Sequence, residues 1–163
     1  MAEGLDERIA GYGPALARIA ASYERNPALR DELLQEIYLA LVSALPRLRN
    51  PEKLRPYMFR IAHNCGVRHI IGRAREKAGS IEPDEIASDA PTQEQSVIAS
   101  ERSAALLAAV QRLALPYRQV ITLVLEDLAH AEIAEALGIS EANVAVRINR
   151  AKQQLKSWLQ THG

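Results

Sequence analysis

The sequence predicts an all-α protein of two small helical domains joined by an acidic flexible linker, the second domain containing a helix-turn-helix. Three observations lead there. Leu, Ala, Arg, Glu and Ile dominate, and apolar residues recur at helical spacing with no strand-like alternation. The 8 Gly and 8 Pro among 163 residues fall mostly between the periodic segments, where they mark boundaries. One stretch, "EKAGSIEPDEIASDAPTQEQS" at residues 76–96, has almost nothing to bury, so it reads as a tether and splits the chain into 1–75 and 97–163.

The elements follow in order. Helical periodicity begins near Pro14, with Pro in the first turn, and runs to about Glu24. Asn26-Pro27 reads as an N-cap and first helical residue of a long helix ended by Pro46, with Leu33, Leu34, Ile37, Tyr38, Leu41 and Val42 as a broad apolar stripe. After the basic connector "RLRNPEKLRP", a third helix is expected from about Leu54 to Arg73, with Leu54, Met58, Ile61 and Cys65 within about 60° on its wheel. Beyond the tether, helices are expected at about 97–113 and 117–126, then a closely spaced pair in "EIAEALGISEANVAVRINRAKQQL".

The formal net charge of zero conceals a pattern. Residues 47–77 hold nine Lys/Arg and two acids, residues 79–101 six acids and no base, and residues 143–156 four bases and no acid. Two basic surfaces separated by an acidic strip are poorly described by their sum. One cysteine excludes an internal disulfide framework and fits a reducing compartment. The N-terminus lacks the pattern of a signal peptide, and no apolar run approaches the roughly 18 residues of a membrane span, so a cytoplasmic protein without membrane insertion is expected.

In the closing helix pair, Val144, Ile148, Ala151, Leu155, Trp158 and Leu159 lie within about 100° and form a core stripe. Ser140 suits the N-cap, and Gly138 suits the left-handed residue ending the preceding helix. Ala134 is the small residue where the helices cross, and Val144 is the apolar anchor. The start of a second helix in this motif enters the major groove while later bases hold phosphates. Ser140, Glu141, Ala142, Asn143, Ala145 and Arg147 are therefore candidate groove residues, with Arg147, Arg150 and Lys152 candidate phosphate contacts. The alternative is an αα-hairpin with a solvated charged face.

In the third helix, Tyr57, Arg60, Asn64 and Arg68 share a face beside the apolar stripe, and Arg47, Arg49, Lys53, Arg55, Phe59 and His63 surround them. Cations interleaved with rings and amides suit a single nucleic-acid strand, the cations tracking phosphates and the rings engaging unstacked bases. Alternatively, Tyr57 and Phe59 fill core edges and the arginines are merely solvated. His63, Cys65 and His69 have ligand chemistry but diverge by about 200–240° on a helix, so no metal is expected. Asp31, Glu32, Gln35 and Glu36 are either helix N-terminal acids favoured by the dipole or a docking surface for a basic partner. No nucleophile–base order, glycine-rich phosphate loop or paired carboxylate appears, so neither enzyme activity nor a cofactor is expected.

In this order, "RDELLQEIYLALVSALPRLRNPEKLRPYMFRIAHN" and "LALPYRQVITLVLEDLAHAEIAEALGISEANVAVRINRAKQQL" resemble regions two and four of a bacterial extracytoplasmic-function sigma factor of RNA polymerase. The resemblance implies a non-catalytic subunit that directs core polymerase to promoters and assists their opening. It implies that Asp31, Glu32, Gln35 and Glu36 dock on the β′ clamp helices, and that the second domain meets the β flap. It further implies that Arg47 to Arg68 grip the minus-ten element and the helix from Ser140 reads the minus-thirty-five element. Members are often held inactive by an anti-sigma factor. The chain departs from the family in having Tyr57-Met58 for Trp-Leu, Arg68 for a common Asp, and Ala142, Ala145 and Asn149 in its reading helix. A stand-alone helix-turn-helix regulator acting as a dimer, or a purely protein-binding helical module, are the competing readings.

Overall fold

The computed structural model describes residues 2–79 and 98–162. Within these residues every regular element is helical: α1 (Ala2–Gly11), α2 (Gly13–Tyr23), α3 (Pro27–Ala44), α4 (Leu54–Gly79), α5 (Ile98–Arg112), α6 (Leu115–Leu125), α7 (His130–Leu137) and α8 (Glu141–His162). Two 3₁₀ turns, Leu45–Arg47 and Pro51–Lys53, link α3 to α4. Most of the expected tether, residues 80–96, lies outside the described residues.

Local chemistry sets the boundaries. The Asn26 side chain accepts hydrogen bonds from the Ala28 and Leu29 amides at 2.9 and 3.1 Å, capping α3 with Pro27 in its first turn. Gly138, at φ +70°, ends α7, and the Ser140 hydroxyl accepts from the Asn143 amide at 3.1 Å to start α8. Glu132 accepts from the Ala129 amide at 2.9 Å, half of a capping box, since alanine has no side-chain oxygen to return the bond.

Three expectations need correction. Helix α1 precedes the first expected helix; it is too short for its periodicity to stand out, and it anchors itself through Ile9, which is buried. Helix α4 continues past Arg73 to Gly79, so the first residues assigned to the tether are helical; "REKA" is made of good helix formers, with Arg73 and Glu76 paired at 4.0 Å. On α3, Leu33, Ile37 and Leu41 are fully buried, but Val42 is 65% exposed. Val42 stands about 100° from Leu41 on the wheel, beyond the arc that α2 and α4 cover.

The two halves share one core. Leu16, Ile19, Leu33, Ile37, Leu54 and Met58 belong to the same buried cluster as Val120, Leu123, Ile133 and Val144. Helices α5 and α6 lie against α2, and α7 lies against α4. Within the first half, buried Glu24 accepts from the Asn26 amide at 2.9 Å, bonds His69 Nε2 at 2.7 Å and accepts from Arg73 Nε at 3.1 Å, tying the α2–α3 corner to α4. Burial raises the pKa of this carboxyl, but the His69 bond, the Asn26 amide and the Arg73 charge outweigh that and hold it below its ordinary value.

Candidate nucleic-acid and polymerase interfaces

Helix α8 presents its candidates outward. Val144, Ile148 and Ala151 are buried, which turns the opposite side of α8 to solvent. Ser140, Glu141, Ala142, Asn143, Ala145, Arg150 and Lys152 are exposed, and Arg147 is half-buried at the edge of the stripe. The first turn thus offers a capped helix N-terminus and small side chains, with bases following one to three turns later. That combination allows close approach to a groove floor while cations reach the flanking phosphates.

Helix α4 divides its candidates. Tyr57, Arg60, Asn64 and Arg68 lie on an arc of about 80°; Arg60, Asn64 and Arg68 are exposed and Tyr57 is half-buried, its hydroxyl donating to the Ala44 carbonyl at 3.3 Å. Against the end of α3 this arc forms an open cleft of about 270 Å³ lined by Ala40, Ser43, Ala44, Arg47, Ile61, Asn64 and Arg68. Arg47, Asn64 and Arg68 are therefore brought together. Arg49 and Lys53 are exposed on the connector.

Two of the remaining candidates turn into the core. His63 is 2% exposed, inside a closed ring of hydrogen bonds. Gln119 Nε2 donates to the Tyr23 hydroxyl at 3.0 Å; Tyr23 bonds His63 Nδ1 at 2.6 Å; His63 Nε2 meets the Thr122 hydroxyl at 3.3 Å; and Thr122 donates to the Gln119 carbonyl at 2.9 Å. Every group is satisfied when His63 is neutral with its proton on Nε2 and Tyr23 donates to Nδ1. Burial enforces that state, pushing the His63 pKa down to about 3 and the Tyr23 phenol well above its usual range. Phe59, 1% exposed, packs edge-on against Tyr12 with ring centroids 6.1 Å apart, so for this ring the core reading holds.

Arg55 and Lys53 reach α7. Arg55 Nη2 donates to the Glu126 carbonyl at 2.8 Å, its Nε stands 3.9 Å from Glu132, and Lys53 pairs with Glu135. Arg18 grips the Glu126 carboxylate with Nε and Nη2 at 2.6 and 2.7 Å. These partners were missed in the sequence, though a signal exists: residues 126–135 carry four acids and no Lys or Arg. His63, Cys65 and His69 do not converge, since His69 turns to Glu24. On α3, Asp31, Glu32, Gln35 and Glu36 are all exposed.

An all-helical protein with a helix-turn-helix half and a basic, cleft-bearing half defines a two-part transcription protein. Residues 9–76 match the family described as Sigma-70 region 2, and residues 103–155 match Sigma-70, region 4. The chain is 32% identical over 159 residues to the RNA polymerase sigma factor NccH of Alcaligenes xylosoxydans xylosoxydans, covering 92% of this chain and 83% of that one. It is 28% identical to the ECF RNA polymerase sigma factor SigM of Bacillus subtilis, covering 94% and 93%. Its fold is similar to that of the sigma factor RpoE solved with the anti-sigma factor NepR from Bartonella quintana, with a TM-score of 0.78, 19% identity and coverage of 97% and 98%. The chain belongs to the ECF-type sigma factors of RNA polymerase, with regions 2 and 4, and directs transcription initiation. Sigma factors bind core RNA polymerase and promoter DNA and are not enzymes. Among the described residues no helix is long and apolar enough to cross a membrane.

Proposed function

We propose that the work of initiation is divided among three surfaces of this chain. The acidic face of α3, Asp31, Glu32, Gln35 and Glu36, docks on the basic β′ clamp helices of core polymerase. Support comes from Leu39 and Val42, which are 70% and 65% exposed on the same arc and add apolar contact area to the carboxylates. The cleft between α3 and α4 receives an unstacked base of the minus-ten strand. Asn64 offers amide hydrogen bonds there, Arg47 and Arg68 neutralise phosphates, and Tyr57 stands at the cleft edge. The outward face of α8 reads the minus-thirty-five duplex while this half rests on the β flap. The cytoplasm is the compartment in which these partners meet.

The observation that carries this reading is the convergence of Arg47, Asn64 and Arg68 on one open cleft. Solvated arginines scattered for solubility have no reason to share a concavity with an amide. NepR sits on RpoE in the related fold, which supports an anti-sigma factor as a further partner here.

The test is a reconstitution of the purified chain with core polymerase and a promoter library. Specific initiation is expected, with Asp31→Lys/Glu32→Lys abolishing core binding while helical content stays unchanged. Unchanged core affinity in that variant would remove the docking assignment. Arg147→Ala is expected to weaken recognition of the upstream duplex by about 1–3 kcal/mol if it meets a base edge. A loss that is uniform across sequences would move it to the phosphates.

A further inference from the structure

Helix α8 carries an uncharged strip on the side turned furthest from the core. Val144, Ile148 and Ala151 set the direction of its buried stripe. At about 100° per residue the opposite direction falls between Ala142 and Val146, and Asn149 stands about 20° to the other side of Ala142. All three are exposed, and Val146, a β-branched apolar side chain, is 45% exposed. The outward side of an amphipathic helix ordinarily carries charge. Here the charge stands to either side: exposed Arg150 and Lys152 flank the strip about 80° on each side of Ala142.

Those proportions match a major groove. A helix about 10–12 Å across fills a groove about 12 Å wide, so cations on its flanks reach the two phosphate walls while the strip meets the floor. Along the axis, Ala142 to Asn149 spans about 10 Å, or about three base pairs at about 3.4 Å each. The chemistry of the strip then limits what it can recognise. Alanine and valine have neither donor nor acceptor on the side chain, and the major-groove feature that rewards them is the C5-methyl of thymine. The asparagine amide matches its donor and acceptor to N7 and N6 of adenine. Guanine calls for a guanidinium and cytosine for a carboxylate. Within the strip there is neither: Arg150 stands on its flank, and Glu141 lies about 100° round from Ala142.

We propose that this strip selects A·T pairs in the upstream element. Ala142 and Val146 pack on thymine methyls, Asn149 pairs with an adenine edge, and Arg150 and Lys152 hold the phosphates on the two sides. Val146 and Asn149 are thereby specificity-determining residues, and the cations supply affinity without choosing a sequence. This inference rests on the assignment of α8 to the upstream duplex.

The experiment loads the full chain onto core polymerase and selects promoters from a duplex library with a randomised upstream element. The selected promoter is then remade with deoxyuridine for thymine, which deletes only the methyl, and with 7-deazaadenine for adenine, which deletes only N7. Competition binding by the loaded polymerase reads the outcome. An upstream element with adjacent A·T pairs is expected, and uracil should weaken binding about fourfold for each methyl that is packed. Val146→Ser should bind the thymine and uracil forms alike at one pair. Asn149→Ala should lose about tenfold of the preference for adenine at one position and become indifferent to 7-deazaadenine there. Both positions are exposed, so core binding and helical content stay unchanged. A selected element without A·T pairs would overturn the proposal. So would equal binding of the thymine and uracil forms, the result for a valine that is only surface. Arg150→Ala/Lys152→Ala, tested on promoters with and without the upstream element, then locates the failure. A loss confined to the promoter carrying the element means that α8 meets the duplex and only its base preference was misread. An equal effect on both means that the assignment of α8 was itself wrong.

Discussion

Helices α4 and α8 are the two long basic helices of this sigma factor, 26 and 22 residues, and they use their surfaces differently. Helix α8 buries one stripe and leaves the rest to solvent, so its wheel separates core from exposed face directly. Helix α4 buries a second arc as well. Arg55, Phe59, Ala62, His63 and Gly66 lie about 80–180° around from Leu54, and of these Phe59, Ala62, His63 and Gly66 are buried and Arg55 half-buried. As far as Arg68, the last quarter, Tyr57, Arg60, Asn64 and Arg68, turns toward solvent, and Asn64 and Arg68 of it line the cleft with Ile61. A helix at the edge of a bundle can be read from its amphipathicity, but one sandwiched between two layers cannot.

Removing the largest side chain on the second buried arc should test that contrast most severely. Phe59→Ala is expected to cost about 3–5 kcal/mol in urea denaturation, through lost transfer energy and the cavity left beside Tyr12. Asn149→Ala, on the outward side of α8, should stay within about 0.5 kcal/mol. Comparable losses at the two positions would mean that α8 is covered on that side too.

Gly66 gives a second, smaller contrast. A Cβ there would stand 2.5 Å from the Tyr23 ring, because α2 crosses α4 where only a hydrogen fits. Overpacking of this kind costs about 1–3 kcal/mol, partly offset by the roughly 1 kcal/mol that Ala gains over Gly in a helix. Gly66→Ala should therefore destabilise by up to about 2 kcal/mol. A gain in thermal stability would show that Tyr23 does not rest on this turn.

The buried ring predicts a pH dependence of similar size. His63 is neutral in the folded chain, with its pKa depressed to about 3, and recovers its ordinary value near 6.5 on unfolding. The unfolded chain binds the extra proton, so this contribution is complete above about pH 6.5 and is lost progressively as pH falls below it. From about pH 7.5 to about pH 5.5 the loss is about 1.4 kcal/mol, and it should vanish in His63→Gln. The depressed Glu24 carboxyl adds a loss of the same sign, beginning only as pH nears the ordinary carboxylate range. A flat stability profile between pH 7.5 and 5.5 would mean that His63 is not enclosed.

The smallest effect belongs to the turn of the reading motif. Gly138 has φ +70° and open space where a Cβ would stand, so Gly138→Ala carries only the left-handed backbone cost, about 1 kcal/mol. Melting temperature should fall slightly while duplex affinity changes little. A collapse of the second half would show that the turn has more to accommodate than its backbone angle.

Much of this molecule was legible in the residues themselves. Asn26, Gly138 and Ser140 act within two or three positions of their own place in the chain, so caps and turns follow from local chemistry. The α8 stripe and the exposed arc of Tyr57, Arg60, Asn64 and Arg68 follow from the helical period alone. What the period does not contain is which neighbour covers the remaining flanks. The tertiary structure decided that His63 and Phe59 turn inward, that Val42 stays outside the core, and that Lys53 and Arg55 meet carboxylates about 80 residues away along the chain. The physical reason is that a helical wheel fixes the angle at which a side chain leaves its own axis. Burial, pairing and the state of a proton depend on the surface that another part of the chain brings against it.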